Sequence, residues 1–179
     1  GCLFDLIKLN DVSKNVISRM SGEEVSEKIT DWAKDFDSEF YSLLIRNTDY
    51  TKAIFSIDRD CAKPRKDIAK WKDAKDYVSY FFDELFCPDY TLPENIKAED
   101  AVAFLNIYKE VYSADDTKEE WFNKIKGLCT ELGFASETKA YKAEPHLYKG
   151  HAGDLSTVLR IAVTGRRNTP DLCSIMKVL

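Results

Sequence analysis

The chain has 179 residues, 44% hydrophobic and 12% aromatic, enough apolar mass for one large or two small domains without covalent staples. A formal charge of −5 excludes nonspecific nucleic-acid binding through bulk positive charge. The total hides an asymmetry, because Lys139 to Leu179 holds seven Lys or Arg against three Asp or Glu and so forms a basic island behind a strongly acidic stretch.

Read along the chain, the pattern is helical. In "SGEEVSEKITDWAKDFDSEFYSLLIRN" Ser21 and Glu24 form a capping box, and Val25, Ile29, Trp32, Phe36, Phe40, Leu43 and Leu44 recur at three- or four-residue steps, which predicts one long amphipathic helix. The shorter "YTKAIFSIDRD" follows. After Pro64, the residues Ile68, Trp71, Tyr77, Val78, Phe81, Phe82 and Leu85 predict a further helix running to Cys87. Pro88 and Pro93 then mark the clearest break, and a boundary near residues 87–97 divides the chain into two helical subdomains. Beyond it Ala101, Leu105, Tyr108 and Tyr112 share one face, and Thr117 with Glu120 caps a helix through Trp121, Ile125, Leu128 and Leu132 that Gly133 ends. Residues 135–153 hold two glycines and a proline without a sustained period, and should be irregular or short turns. Asp154 is the expected cap of "LSTVLRIAV", which Gly165 closes; Thr169 is the expected N-cap of the last helix, with Pro170 at its first position and Asp171 at its positive end. The fold class is all-α, with no alternation long enough for a sheet.

Arg166, Arg167 and Asn168 are therefore the connection between two helices. On these residues alone two readings stay open: a solvated polar loop, or an RNA site in which guanidinium forks sit beside a helix N-terminus. Lys142, Lys149, His151 and Arg160, interleaved with Tyr141 and Tyr148, favour RNA, since aromatic groups add stacking to charge. Arg160, inside the apolar "VLRIAV", either turns toward the connection or snorkels to the surface.

No catalytic constellation is visible. Cys61 has no neighbouring histidine, and there is no glycine-rich phosphate loop, GxSxG or HExxH. "DRDCAKPRKD" reads as charge pairing of Arg59, Arg65 and Lys66 with Asp58 and Asp60. Cys2, Cys61, Cys87, Cys129 and Cys173 form no CxxC pair and are odd in number, which predicts reduced thiols in the cytoplasm. With His146 and His151 at no zinc-ligand spacing, no metal is expected. No apolar run reaches the roughly 20 residues of a membrane span, and "GCLFDLIKLND" has no signal-peptide layout. A start without methionine, inside an apolar pattern, is expected of a piece of a longer protein.

"YKGHAGDLSTVLRIAVTGRRNTPDLCSIMKVL", residues 148–179, resembles the end of bacterial-type glutamyl-tRNA synthetases, where a helix, a "TGR"-like turn and a "TPDL"-like helix start contact the anticodon. "LFDLIKLNDVSKNVIS", 3–18, resembles the segment after the catalytic core of these class I enzymes, and "DRDCAKPRKDIAKWKD", 58–73, their first helical anticodon-binding subdomain. The resemblance implies a remnant of the linking segment at 1–20 and two anticodon-binding subdomains at 21–92 and 93–179. HIGH-like and KMSKS-like signatures are absent, so it implies no catalytic residues and no cofactor here, with ATP and magnesium belonging to the parent, a monomeric glutamate–tRNA ligase. The implied partner is the anticodon loop of tRNA(Glu), and of tRNA(Gln) as well in a non-discriminating enzyme. Arg160 would lie at the anticodon, and Thr169, Pro170 and Leu172 would line the pocket for its first base. Arg166 and Arg167 would hold the loop backbone, with Lys149 and His151 nearby. Cys173 and Ser174 depart from the family pattern, a matter of packing. The reader of the third anticodon base stays open among Arg59, Arg65 and Lys66. A helical protein-interaction scaffold is the alternative, motivated by the acidic first 138 residues.

Overall fold

The computed structural model describes residues 5–59 and 61–179, so Cys2, Asp60 and the start of the 3–18 segment lie outside the described residues. These residues form ten α-helices with one isolated β-bridge, Ala135 to His151. The chain divides into two compact units, Gly1–Cys87 with Val178–Leu179, and Pro88–Lys177.

In the first unit α1 (Leu6–Ser18) starts at Asp5, whose carboxylate accepts from the Ile7 and Lys8 amides. It leaves Leu6, Ile7, Val12 and Val16 exposed. The helix expected from residue 21 onward is two helices. α2 (Gly22–Phe36) opens with the Ser21–Glu24 capping box, and α3 (Ser38–Arg46) begins after Asp37, whose backbone leaves the helix at φ −150°, ψ 81°. The Asp37 carboxylate takes the Phe40 amide at 3.0 Å and Lys75 Nζ at 2.9 Å, a local bond that competes with helix continuation. The apolar period survives because both pieces bury one set, Val25, Ile29, Ala33, Phe40, Leu43 and Leu44, while Phe36 at the break is exposed.

Asn47 caps α4 (Thr48–Ser56). The helix expected between Pro64 and Cys87 is only α5 (Asp73–Tyr77) and a 3-10 turn at Ser79–Phe81. Tyr80, Phe81 and Phe82 are all buried. A helix with one apolar face turns consecutive side chains away from it, so three buried in a row do not fit such a helix. Phe81 and Phe82 each meet the Tyr50 ring edge-on, with centroids 6.2 Å apart.

The second unit contains α6 (Ala98–Val111), α7 (Lys118–Leu132), α8 (Thr138–Ala143), a 3-10 turn at Pro145–Leu147, α9 (Ala152–Thr164) and α10 (Leu172–Val178). Phe104, Tyr108, Trp121, Ile125, Phe134, Leu155 and Leu159 fill its core; Phe104 takes the fully buried place expected of Leu105, which is partly buried. The Thr117–Glu120 capping box and the left-handed Gly133, φ 79°, bound α7 as expected. The α9 cap differs. His151, not Asp154, is the N-cap: its Nδ1 accepts from the Gly153 amide at 3.0 Å, and Asp154, at the third helical position, accepts from the His151 amide at 2.8 Å.

Candidate functional site

α9 ends at Gly165, which turns left-handed at φ 63° while its amide donates to Ile161 O at 2.8 Å. The chain then runs through 166–171 into α10. Arg160, on the last full turn of α9, is half-buried and aims its guanidinium across this connection. Its Nη1 donates to Pro170 O at 2.7 Å, Thr169 O at 3.3 Å and the Thr169 hydroxyl. The arginine thus turns toward the connection rather than snorkelling outward. Thr169 passes the interaction on, its hydroxyl donating to Pro170 O at 3.0 Å. On the incoming side the Thr164 hydroxyl donates to Arg160 O at 2.7 Å and accepts from the Arg166 amide at 3.2 Å.

Arg160, Thr169, Pro170 and Leu172 are therefore brought together. Thr169, Pro170 and Leu172 are buried, with Leu172 in the hydrophobic core. Arg167 and Asn168, just before them in the turn, are exposed. Thr169 is not the helix cap. Asp171 holds that role, accepting from the Ser174 amide at 2.8 Å and the Ser174 hydroxyl at 2.7 Å. The Thr169 hydroxyl is already engaged by Arg160, which leaves the cap to the next suitable side chain.

Burial pushes the Asp171 carboxyl up, but the Ser174 bonds and the Lys118 ammonium, 3.2 Å away, outweigh it and hold the group below its ordinary 3.8. A carboxyl depressed in the folded state contributes stability above its unfolded value and loses it as pH falls through the lower folded value. Between about pH 5 and about pH 2, the melting temperature of the unaltered chain should therefore fall toward that of Asp171→Asn, which keeps an acceptor without titrating. A difference between the two that stays constant over this range would exclude the carboxylate.

Lys149 and His151 are not brought to the connection. They stand at the other end of α9, roughly 20 Å away by the rise of a 13-residue helix. Lys149 Nζ pairs with the buried Asp100 at 2.6 Å, and His151 is occupied as the cap. In the first unit, Arg59 Nη1 donates to Ile17 O at 2.8 Å and Arg65 Nε pairs with Asp67 at 2.5 Å, so both have structural work. Sequence reasoning missed Asp171 as the cap and the segment Pro88–Leu92, whose backbone meets Arg167 and Gly165. Backbone acceptors carry no residue-type signal that could have revealed them.

The glutamate–tRNA ligase of Clostridium perfringens strain 13 is 43% identical to this chain over 183 residues, covering all of the chain and 34% of the relative. Over its whole length, this chain is similar to glutamate–tRNA ligases. Those of Acetivibrio thermocellus, 43% identical over 179 residues, and Sorangium cellulosum, 41% over 181, also cover all of it. The chain spans about a third of the length of these ligase relatives. No protein-family model and no solved structure matches it significantly. No helix among the described residues is long and apolar enough to cross a membrane.

Proposed function

We propose that the chain is the C-terminal anticodon-binding region of a glutamate–tRNA ligase, acting in the cytoplasm on the anticodon loop of tRNA(Glu). The observation that carries this is the joint between α9 and α10, where Arg160 grips Thr169 and Pro170, in a chain similar throughout to ligases of that name. A turn that already holds its own backbone in place can receive an unstacked base without reorganising, with Arg166 of the same turn supplying positive charge for the adjacent phosphates. In this division residues 21–92 and 93–179 are the two anticodon-binding subdomains, and residues 1–20 are the link to the catalytic part.

The parent enzyme would use ATP and magnesium to join glutamate to its tRNA. Among the described residues no group of three or more His, Cys, Asp or Glu could hold a metal ion, and no step of that reaction is assigned to this chain. Its work is to bind and orient.

Binding of the chain to a tRNA(Glu) transcript, measured against salt, tests this. The affinity should fall with rising salt, at a log–log slope of about −0.7 per neutralised phosphate of a single-stranded loop, and should fall again when the anticodon loop alone is replaced. Equal binding of the intact and loop-replaced transcripts would overturn the proposal.

A further inference from the structure

Arg167 does something that its exposed position in a basic turn conceals. Its guanidinium faces the backbone of a segment 75 residues away: Nη2 donates to Leu92 O at 2.8 Å and to Thr91 O at 3.3 Å, with Nε directed at the same Thr91 oxygen at 3.4 Å. Two further contacts close the joint. The Asp89 amide donates to Gly165 O at 2.9 Å. Gly165 also lies so near Pro88 that an added Cβ would stand 2.3 Å from Pro88 Cβ and 2.4 Å from Pro88 Cα. The segment has its own internal order, because Asp89 Oδ1 accepts from the Thr91 amide at 2.9 Å. Leu92 packs against the hydrophobic core of the unit. A continuous set of contacts thus runs from the core through Leu92 and Arg167 to the turn, and from the turn through Thr169 to Arg160.

We propose that Arg167 is a positioning residue rather than a phosphate contact: it clips the 166–169 turn to the Pro88–Leu92 segment and thereby fixes Thr169 and Pro170 for recognition of the first anticodon base. This rests on the anticodon-binding function proposed above. The chemistry favours arginine for the task. A planar fork spans two successive carbonyl oxygens, whereas an ammonium of the same charge is a point donor without the fork. Charge alone cannot replace it.

The test compares the unaltered chain with Arg167→Lys and Gly165→Ala. Each is titrated with a tRNA(Glu) transcript and with one altered only at the first anticodon base, over about 50 to 200 mM salt. Arg167→Lys should lose about tenfold in discrimination between the two transcripts with its salt slope unchanged, because the charge remains while the fork is gone. Gly165→Ala alters no charge and spreads the same joint from the other side, so it should give the same loss at the same slope. If Gly165→Ala does not fold, judged by its circular dichroism, Arg167→Lys decides alone. Full discrimination in Arg167→Lys would overturn the proposal. So would a shallower slope by about 0.7 in Arg167→Gln with Lys restoring it, the behaviour of a phosphate contact. If the unaltered chain binds both transcripts equally, the anticodon-binding function itself fails, and that outcome is distinct from failure of the clip.

Discussion

Replacing Arg160 with alanine should weaken binding of tRNA(Glu) by about 30-fold. The side chain makes charge-assisted bonds to Thr169 and Pro170 from a half-buried position, and a hydrogen bond involving a charged group contributes on the order of 1.5–3 kcal/mol. A loss near the middle of that range is about 2 kcal/mol, which corresponds to about 30-fold in affinity if the freed turn must be reordered by the RNA. The mechanism is separable from loss of a direct contact. If Arg160 acts through Thr169, then Thr169→Val should lose part of the same affinity, and the double variant Arg160→Ala/Thr169→Val should be little worse than Arg160→Ala alone. Strictly additive losses would show that Arg160 reaches the RNA independently of the threonine. Thermal melting of the same variants reports whether the turn also supports the fold.

The largest effect on stability should come from Phe134→Ala, at about 3–5 kcal/mol. Phe134 is 2% exposed and directly follows the left-handed Gly133, its amide bonding back to Cys129 O at 2.8 Å. Beside the ring the chain crosses itself. Lys149 N donates to Gly133 O, Ala135 N to Gly150 O and Ala152 N to Ala135 O, each at 2.9 Å. The ring lies within 3.2 Å of where a Gly150 Cβ would sit, so it packs directly against the start of α9. Alanine would leave a cavity beneath the helix that carries Arg160. For a unit of this size each kcal/mol lowers the melting temperature by roughly 4–8 °C, so the shift should be at least about 12 °C. Trp121 belongs to this core, whereas Trp32 and Trp71 lie in the other unit. Its fluorescence in a Trp32→Phe/Trp71→Phe background follows the transition of interest. A shift of only a few degrees would show that the crossing, not the ring, holds this corner together.

The features legible in the sequence are those whose cause lies within a few residues. The Ser21–Glu24 and Thr117–Glu120 boxes and the glycines ending α7 and α9 are local signals, and each stands where the residues place it. Part of what failed depended on distant partners. Asp37 divides a helix of unbroken apolar period with the help of Lys75, 38 residues on. The aromatic run at 80–82 obeys tertiary burial rather than a helical period; the α9 cap is local, but histidine is a rare N-cap and aspartate a common one. At the site, Arg160 and Thr169 are nine residues apart, a separation that a helix and a tight turn bring into contact, so their pairing could be anticipated. The partners of Arg167 could not, because a carbonyl oxygen is the same on every residue.

Gly165 combines a left-handed backbone with a neighbour that fills the place a side chain would take. Every single-base change of a glycine codon that alters the amino acid installs a Cβ, so mutation offers this position no neutral step. Exchange at position 88 would not open one, since the Pro88 Cα alone is too close and the positive φ persists. Any residue other than glycine at 165 must therefore displace the Pro88 backbone and hold a strained positive φ at once.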